Sequence, residues 1–354
     1  MIVVVLLNRV LNPCSKLETV EWIKHTSFPF FTELSPEEYS ANNVYSAMDE
    51  VYENREKIMD GFYKLGGGVP VFLLYDITSI YFEGEGIKIA KRGHSRDHRG
   101  DRPQVLLGVA LNERGFPVYF DIFSGNVPDK ETVGDVIEDV KKRFGIKKAI
   151  FVGDRGMISM DNIGKVSGKE FGYIMAIKHR EARELLKDKK VEPSLFDKQI
   201  PVTIYQEEKK KYVLCGYYIL ETGEVDMKEE EVEKHYKGLQ QVERCFRDLK
   251  ELLEIRPIYH WADRRVKSHI FLCLISQVIL SYVRKELKEK GWLGRNNTLE
   301  KFITLLTGVK LGKFLIGGKG IMEVQKDNPL EKVLSSVFQV SSFNYEQDRA
   351  SCSI

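Results

Sequence analysis

Cysteine is scarce in this 354-residue chain, and what there is falls in no useful spacing: Cys14, Cys215, Cys245, Cys273 and Cys352 stand far apart. An odd, scattered set excludes a disulfide framework and a thiolate zinc site, and fits a reducing compartment. Excess charge of one sign is missing too. There are 54 Lys and Arg against 52 Asp and Glu, a net charge of +2, so a polyanionic partner would have to be met by a local basic surface. No leader is legible: Met1–Leu7 is apolar, but Asn8 and Arg9 follow, with no basic start and no small-residue cleavage site. The longest later apolar run, Ile270 to Val283, is broken by Ser276, Gln277 and Ser281 and is too short to span a bilayer. A nucleotide-binding glycine loop is also lacking. Gly66-Gly67-Gly68 precedes a strand pattern, not a helix, so no phosphate-binding helix N-terminus follows it. These absences point to an intracellular soluble protein, cytoplasmic, with no membrane partner and no nucleotide cofactor. The length suits roughly two domains, and the abrupt apolar start suggests lost upstream sequence.

Periodicity divides what is present. Residues 1–68 read as a helical N-terminal region, with Ser35-Pro36-Glu37-Glu38 as a capping-box start and apolar residues recurring from Met48 through Leu65. Residues 69–178 read as strands and helices: Val71–Phe82, Gln104–Leu111 and Pro117–Phe123 as three strands, with Asn112-Glu113-Arg114-Gly115 as a hairpin turn. A helix capped by Asp129 and closed by Gly145 follows, then strands at Lys148–Gly153 and Tyr173–Lys178. Residues 179–228 read as a β-rich insertion. Residues 229–292 return to helix, including a buried helix from Arg264 to about Lys290, and 293–354 form a C-terminal region with a frayed end. This order predicts an α/β fold with a mixed sheet and flanking helices.

Three acids stand in suggestive places. Asp76 interrupts an apolar strand, where an unpaired buried carboxylate is costly. Asp154 ends the fourth strand in Val152-Gly153-Asp154-Arg155-Gly156; by pattern alone it could equally serve a turn. Glu243 lies in the stretch from Tyr236 to Lys250, read as one helix in which Tyr236, Glu243 and Lys250 share a face at seven-residue spacing. Alone, Glu243 reads as a solvated residue, with Arg247 one turn on. Together, three carboxylates without Cys or His form a hard oxygen set suited to Mg²⁺ or Mn²⁺. Two such ions about 3.5–4 Å apart can drive an in-line phosphoryl displacement.

The 15 residues from Tyr236 to Lys250 resemble the Y-x(2)-R-x(3)-E-x(6)-K signature of bacterial insertion-sequence transposases of the DDE group, the insertion-sequence-four family. Tyr236, Glu243 and Lys250 match; Leu239 stands where the family has Arg. Asp76 in Leu-Leu-Tyr-Asp-Ile-Thr-Ser and Asp154 in Val-Gly-Asp-Arg-Gly are similar to that family's two catalytic aspartates. Gly93-His94-Ser95-Arg96-Asp97-His98-Arg99 and Arg256-Pro257-Ile258-Tyr259-His260-Trp261 are similar as well. The resemblance spans roughly residues 70 to 283. It implies an RNase H-like core that cleaves DNA and transfers a strand, with Asp76, Asp154 and Glu243 binding two Mg²⁺ or Mn²⁺ ions. It also implies DNA partners, namely transposon ends and target DNA, a homodimer on DNA, and a place at the nucleoid. Tyr236 and Lys250 would contact the transposon end, with Arg247 and Arg155 as further contacts. The N-terminal region would be a shortened DNA-binding region.

A basic loop supports the nucleic-acid reading from the residues themselves. Lys88, Lys91, Arg92, Arg96, Arg99 and Arg102 are opposed within it only by Asp97 and Asp101, a pattern suited to phosphate neutralisation. Trp261 and His260 read as core anchors, although an indole can stack on a base. Two alternatives stay open: a nuclease of the same fold without strand transfer, and an inactive DNA-binding remnant of a mobile element.

Overall fold

A computed structural model describes residues 1–32, 34–68, 70–144, 149–154, 157, 172–177, 179–187, 200–216, 218–309, 311–316, 319–324, 333–334 and 337–338. The chain forms two compact units, Tyr52–Phe271 and Met1–Val51 with Leu272–Ile354.

The larger unit is built on an eight-stranded mixed sheet. β1 (Phe72–Tyr81) and β2 (Gln104–Leu111) are buried along almost their whole length, which is why they read as near-continuous apolar runs. β3 (Pro117–Ser124) joins β2 through the expected hairpin turn. In that turn the Asn112 side chain accepts from the Arg114 and Phe116 N–H groups at 3.0 Å, and Gly115 takes a φ of 78° that a branched residue would resist. β4 (Ile150–Gly153) and β5 (Gly172–Ala176) run parallel to β1, and the spatial order is β3-β2-β1-β4-β5. The insertion forms a helix, α7 (His179–Lys187), and three strands, β6 (Val202–Glu207), β7 (Lys210–Cys215) and β8 (Tyr218–Thr222). These strands do not fold apart from the core. β8 pairs with β5 and carries β7 and β6 outward in the same sheet. Between β3 and β4, helix α6 (Asp129–Phe144) buries Val133, Val136, Ile137 and Val140 on one stripe, as its 3.6-residue period predicts.

Several local readings are corrected. Ser35–Glu38 does make half of a capping box, with the Ser35 N–H donating to Glu38 Oε2 at 2.7 Å, but it opens only a 3₁₀ turn at Pro36–Glu38. Two helices follow it, α4 (Ala41–Glu53) and α5 (Arg55–Leu65), broken at Asn54. The stretch from Tyr236 to Lys250 is likewise not one helix. α8 (Glu229–Lys237) passes into α9 (Gln240–Arg247) through Gly238–Leu239, which keep helical dihedrals but tighten to 3₁₀-type bonds, Leu239 N–H to the Tyr236 carbonyl at 3.0 Å and Gln241 N–H to the Gly238 carbonyl at 2.9 Å; α9 ends in a π-helical turn at Asp248–Leu252. A Cβ on Gly238 would press on the Leu74 side chain at 3.2–3.3 Å and on the His235 carbonyl at 2.8 Å, and the His235 ring stacks on Phe72 at 3.4 Å. The junction therefore sits directly on β1. α10 (Asp263–Glu289), which belongs to the larger unit as far as Phe271 and to the smaller from Leu272, is long and apolar enough to cross a membrane by length and composition, yet 72% of its apolar window is buried within the protein. It reads as a core helix.

In the smaller unit, α1 (Ile2–Leu11) and α2 (Lys16–Lys24) pack with α4 around Val5, Val44, Ala47, Met48 and Leu272, and around Val4, Ile23 and Tyr39, with the single-turn helix α3 (Phe28–Phe31) following α2. Burial pushes the Lys16 ammonium down to about 7, with Arg9 adding to the effect. α11 (Leu299–Thr307) and a hairpin, β9 (Leu311–Ile316) and β10 (Lys319–Val324), complete its described part. The end from Asn344 lies outside the described residues.

The basic stretch between β1 and β2 is held by main chain at the sheet's end. Lys91 and Gln104 exchange both backbone hydrogen bonds at 2.9 and 3.0 Å, and Gln104 Nε2 donates to the His94 and Gly125 carbonyls at 3.0 Å. Gly125 fits this close approach because a Cβ there would overlap the backbone carbonyls of Gln104 and Lys91. Backbone cannot yield as a side chain can, so Gly125→Ala is expected to destabilise the protein by about 2–3 kcal/mol, read as a lower urea midpoint with an unchanged slope.

Candidate active site

The position of Asp76 follows from strand register. Phe72, Leu73 and Leu74 on β1 lie level with Ile150, Phe151 and Val152 on the parallel strand β4. Two residues further along both chains come Asp76 and Asp154, with the same parity and so on the same face. Adjacent strands are about 4.8 Å apart, so this register sets the two carboxylates side by side. Asp76 is half-buried, and its Oδ1 accepts from the Ile77 N–H at 2.7 Å. Burial chiefly pushes its carboxyl up to about 6; Arg96 opposes this, while Asp154 and Asp129 add to it. Asp154 is exposed at the end of β4, and the Tyr236 hydroxyl from α8 donates to its Oδ1 at 3.3 Å.

Glu243 does not converge with the two aspartates. α9 packs against β1 and β2 through a face that buries Val242, Cys245 and Phe246. Glu243 is exposed on its first turn; its N–H donates to the Leu239 carbonyl at 3.1 Å, and its side chain makes no hydrogen bond or ion pair among the described residues. Nor do any three His, Cys, Asp or Glu side chains stand together in metal-holding geometry among the described residues. Asp76 and Asp154 nonetheless suit a divalent cation. They are neighbouring, mutually repelling carboxylates with no nitrogen or sulfur donor, the hard oxygen chemistry that Mg²⁺ or Mn²⁺ takes.

Two acids that sequence reasoning passed over matter here. Asp129, read only as a helix cap, pairs with Arg96 at 2.5 Å beside Asp76. Asp97, read as a minor counter-charge in the basic loop, has a side chain only 4% exposed. Its Oδ1 lies 2.7 Å from Lys250 Nζ and 2.8 Å from Arg256 Nε, and Ser79 on β1 donates to its Oδ2 at 3.4 Å. Lys250 is thus a buried partner of Asp97, with its ammonium pushed down by burial. Removing one member of such a pair typically costs about 3–5 kcal/mol, so Lys250 is held firmly. The unusual feature that could have flagged Asp97 is its place in the one dense run of cations.

The loop is less free than its composition suggested. Arg99 and Arg102 are both paired with Glu83 and Asp101, and Arg96 with Asp129. Lys88, Lys91, Arg92 and, on α9, Arg247 are exposed with no side-chain hydrogen bond or ion pair among the described residues. Arg155 lies outside the described residues. Trp261, expected in the core, is 84% exposed, while His260 is half-buried and packs edge-on to His269 at 5.7 Å.

Residues 67–279 match the family described as the transposase DDE domain. This chain belongs to the transposase DDE-domain family. A solved structure of similar fold is the cryo-EM piggyBac transposase synaptic complex with hairpin DNA, at TM-score 0.50 and 10% identity, covering 86% of this chain and 69% of that one. No curated protein matches. The sheet order β3-β2-β1-β4-β5 with helices on its faces is the RNase H-like fold expected of a DDE transposase, and the family's activity is DNA cleavage with strand transfer. Divalent ions are general for transposases of this kind, in agreement with the paired aspartates.

The raised Asp76 carboxyl makes this transposase's stability depend on pH. In the fold Asp76 takes up a proton below about pH 6, whereas its ordinary value is 3.8. The ionised form therefore destabilises the fold fully above about pH 6, progressively less as pH falls, and not at all below the ordinary value. With divalent ions removed by chelator, Asp76→Asn should be about 2–3 kcal/mol more stable than the parent at pH 7.5, and no more stable at pH 3.5, by denaturant unfolding at each pH.

Proposed function

We propose that this transposase moves an insertion sequence of the insertion-sequence-four type, with Asp76, Asp154 and Glu243 as its catalytic acids. The observation that supports the reading best is the β1–β4 register, which sets Asp76 level with Asp154 while Tyr236 bonds Asp154 at 3.3 Å. Tyr236, Glu243 and Lys250 are the family signature, with Leu239 replacing its arginine. The three acids would hold two Mg²⁺ or Mn²⁺ ions, which when bound supply Lewis acidity at the scissile phosphate and an activated oxygen nucleophile.

The chain's own residues prepare that site. The Tyr236 hydroxyl orients the Asp154 carboxylate. Arg96, paired with Asp129 beside Asp76, offsets repulsion among these acids. Asp97 fixes Lys250, and so the π-helical end of the α9 segment, against β1. Glu243, exposed and unengaged, turns toward the aspartates when the site is loaded. Lys88, Lys91, Arg92 and Arg247 are the cations best placed to meet DNA phosphates. Arg99 and Arg102 reach DNA by exchanging their present carboxylate partners for phosphate, while Lys250 stays with Asp97 and acts by holding the helix end in place. The substrates are transposon ends and target DNA, held by a homodimer at the nucleoid. Residues 69–178 and 229–292 form the catalytic core around the 179–228 insertion, and residues 1–68 act as a shortened DNA-binding region.

Purified protein with Mg²⁺ or Mn²⁺ and DNA carrying the element's ends tests the assignment. Glu243→Gln is expected to slow end cleavage by about 10³-fold or more, since metal-centred charge stabilisation contributes several kcal/mol. Cleavage equal to the parent's would remove Glu243 from the site.

A further inference from the structure

We propose that Tyr259 and Trp261 form a clamp for one unpaired DNA base, at the end of β1 away from the acids. The inference rests on the reading of this chain as an enzyme acting on DNA strands, but not on the assignment of the three acids.

The segment that carries the pair is anchored to the end of β1 at Ile258. Ile258 bridges to Phe82 in parallel, its N–H donating to the Tyr81 carbonyl at 3.0 Å and its carbonyl accepting from the Glu83 N–H at 2.9 Å. Arg256 is tied to Asp97 at 2.8 Å. Burial then alternates with period two: Ile258 is 1% exposed, Tyr259 72%, His260 half-buried against His269, and Trp261 84%. Such alternation is the pattern in which residues i and i+2 lie on the same side. Tyr259 and Trp261 therefore project together into solvent, and Trp261 is the most exposed of the large apolar side chains among the described residues.

The spacing selects the occupant. Two residues of extended chain span about 6.6 Å. A flat base stacked on each side needs about 3.4 Å per gap, so the two rings leave room for one base between them. Burying both rings would cover at most about 500 Å², below the roughly 800 Å² per partner of a standard protein interface. Charged residues close the patch on both sides, with Arg256 before it and Asp263 and Arg264 after. Cations crowd the same end of the sheet. Arg99 and Arg256 lie over the Tyr81 ring at 4.9 and 5.8 Å, and the backbone of Lys91 pairs with Gln104, which stands opposite Tyr81. Exposed aromatics beside backbone-tracking cations are the general device for holding single strands. Phe82 is six residues beyond Asp76, roughly 20 Å along β1, so the clamped base would lie about six nucleotides of stacked strand from the reacting phosphate.

The test measures binding of the full-length protein in chelator, so that no cleavage occurs, by anisotropy of a labelled oligo-dT strand and of a labelled blunt duplex. Trp261→Ala and Tyr259→Ala should each weaken binding to the single strand about 10- to 100-fold while changing duplex affinity less than about twofold. Trp261→Phe should keep most of the single-strand affinity, and single-strand addition should quench the parent's tryptophan fluorescence more than that of Trp261→Phe. Unchanged single-strand affinity, equal losses on both DNAs, or a change in oligomeric state without a single-strand loss would overturn the clamp. The acid assignment fails separately, through undiminished cleavage by Glu243→Gln, and leaves this binding result standing.

Discussion

The pairing of β1 with β4 is the constraint on which the site depends. Both strands are buried, and a slip of one residue would turn every side chain to the opposite face. The apolar residues from Phe72 to Leu74 and from Ile150 to Val152 therefore fix register through the core. The aspartates two positions beyond them are carried into alignment as a consequence. Core packing, not any attraction between the acids, places two like charges together; burial chiefly raises the Asp76 carboxyl, and the neighbouring Asp154 adds to it. A bound divalent cation is the natural relief of that repulsion.

A second constraint ties the helical side to this sheet. Asp97 links Ser79 on β1, Lys250 at the π-helical turn after α9, and Arg256 before the segment that docks on the end of β1. Gly238 lets the α8–α9 junction rest on Leu74. Between these two points α9 has little freedom to shift, while Glu243 on its exposed side keeps the freedom of its own rotamers. The cations divide the same way. Those bound to Glu83, Asp97, Asp101 and Asp129 build the scaffold, and Lys88, Lys91 and Arg92 are left to solvent.

Much of this was legible in the sequence because it depends on short-range rules. The β2–β3 hairpin followed from Asn112 and Gly115, α6 from its apolar stripe, and the order of strands from their period and spacing. Asp76 stood out because an acid inside an apolar strand needs a reason. The rest depended on distant partners. Nothing local reveals that Gly238 must approach Leu74, so a run with helical periodicity looked uniform where its hydrogen bonding tightens. The Asp97 carboxylate could not be seen as buried, since its partners lie about 150 residues away in the chain. Trp261 looked like a core anchor because most tryptophans are; its exposure follows from Ile258 and His260 taking the inward positions of this segment.

Asp76, Asp154 and Glu243 are proposed to surround one two-ion centre. Replacing Mg²⁺ with Fe²⁺ in the DNA-bound protein, and adding ascorbate and peroxide, generates radicals that cut the polypeptide next to the bound ion. Backbone cuts are expected at three places, around Asp76, Asp154 and Glu243, all suppressed by excess Mg²⁺. Cuts confined to the first two places, or clustered elsewhere in the chain, would contradict the proposal.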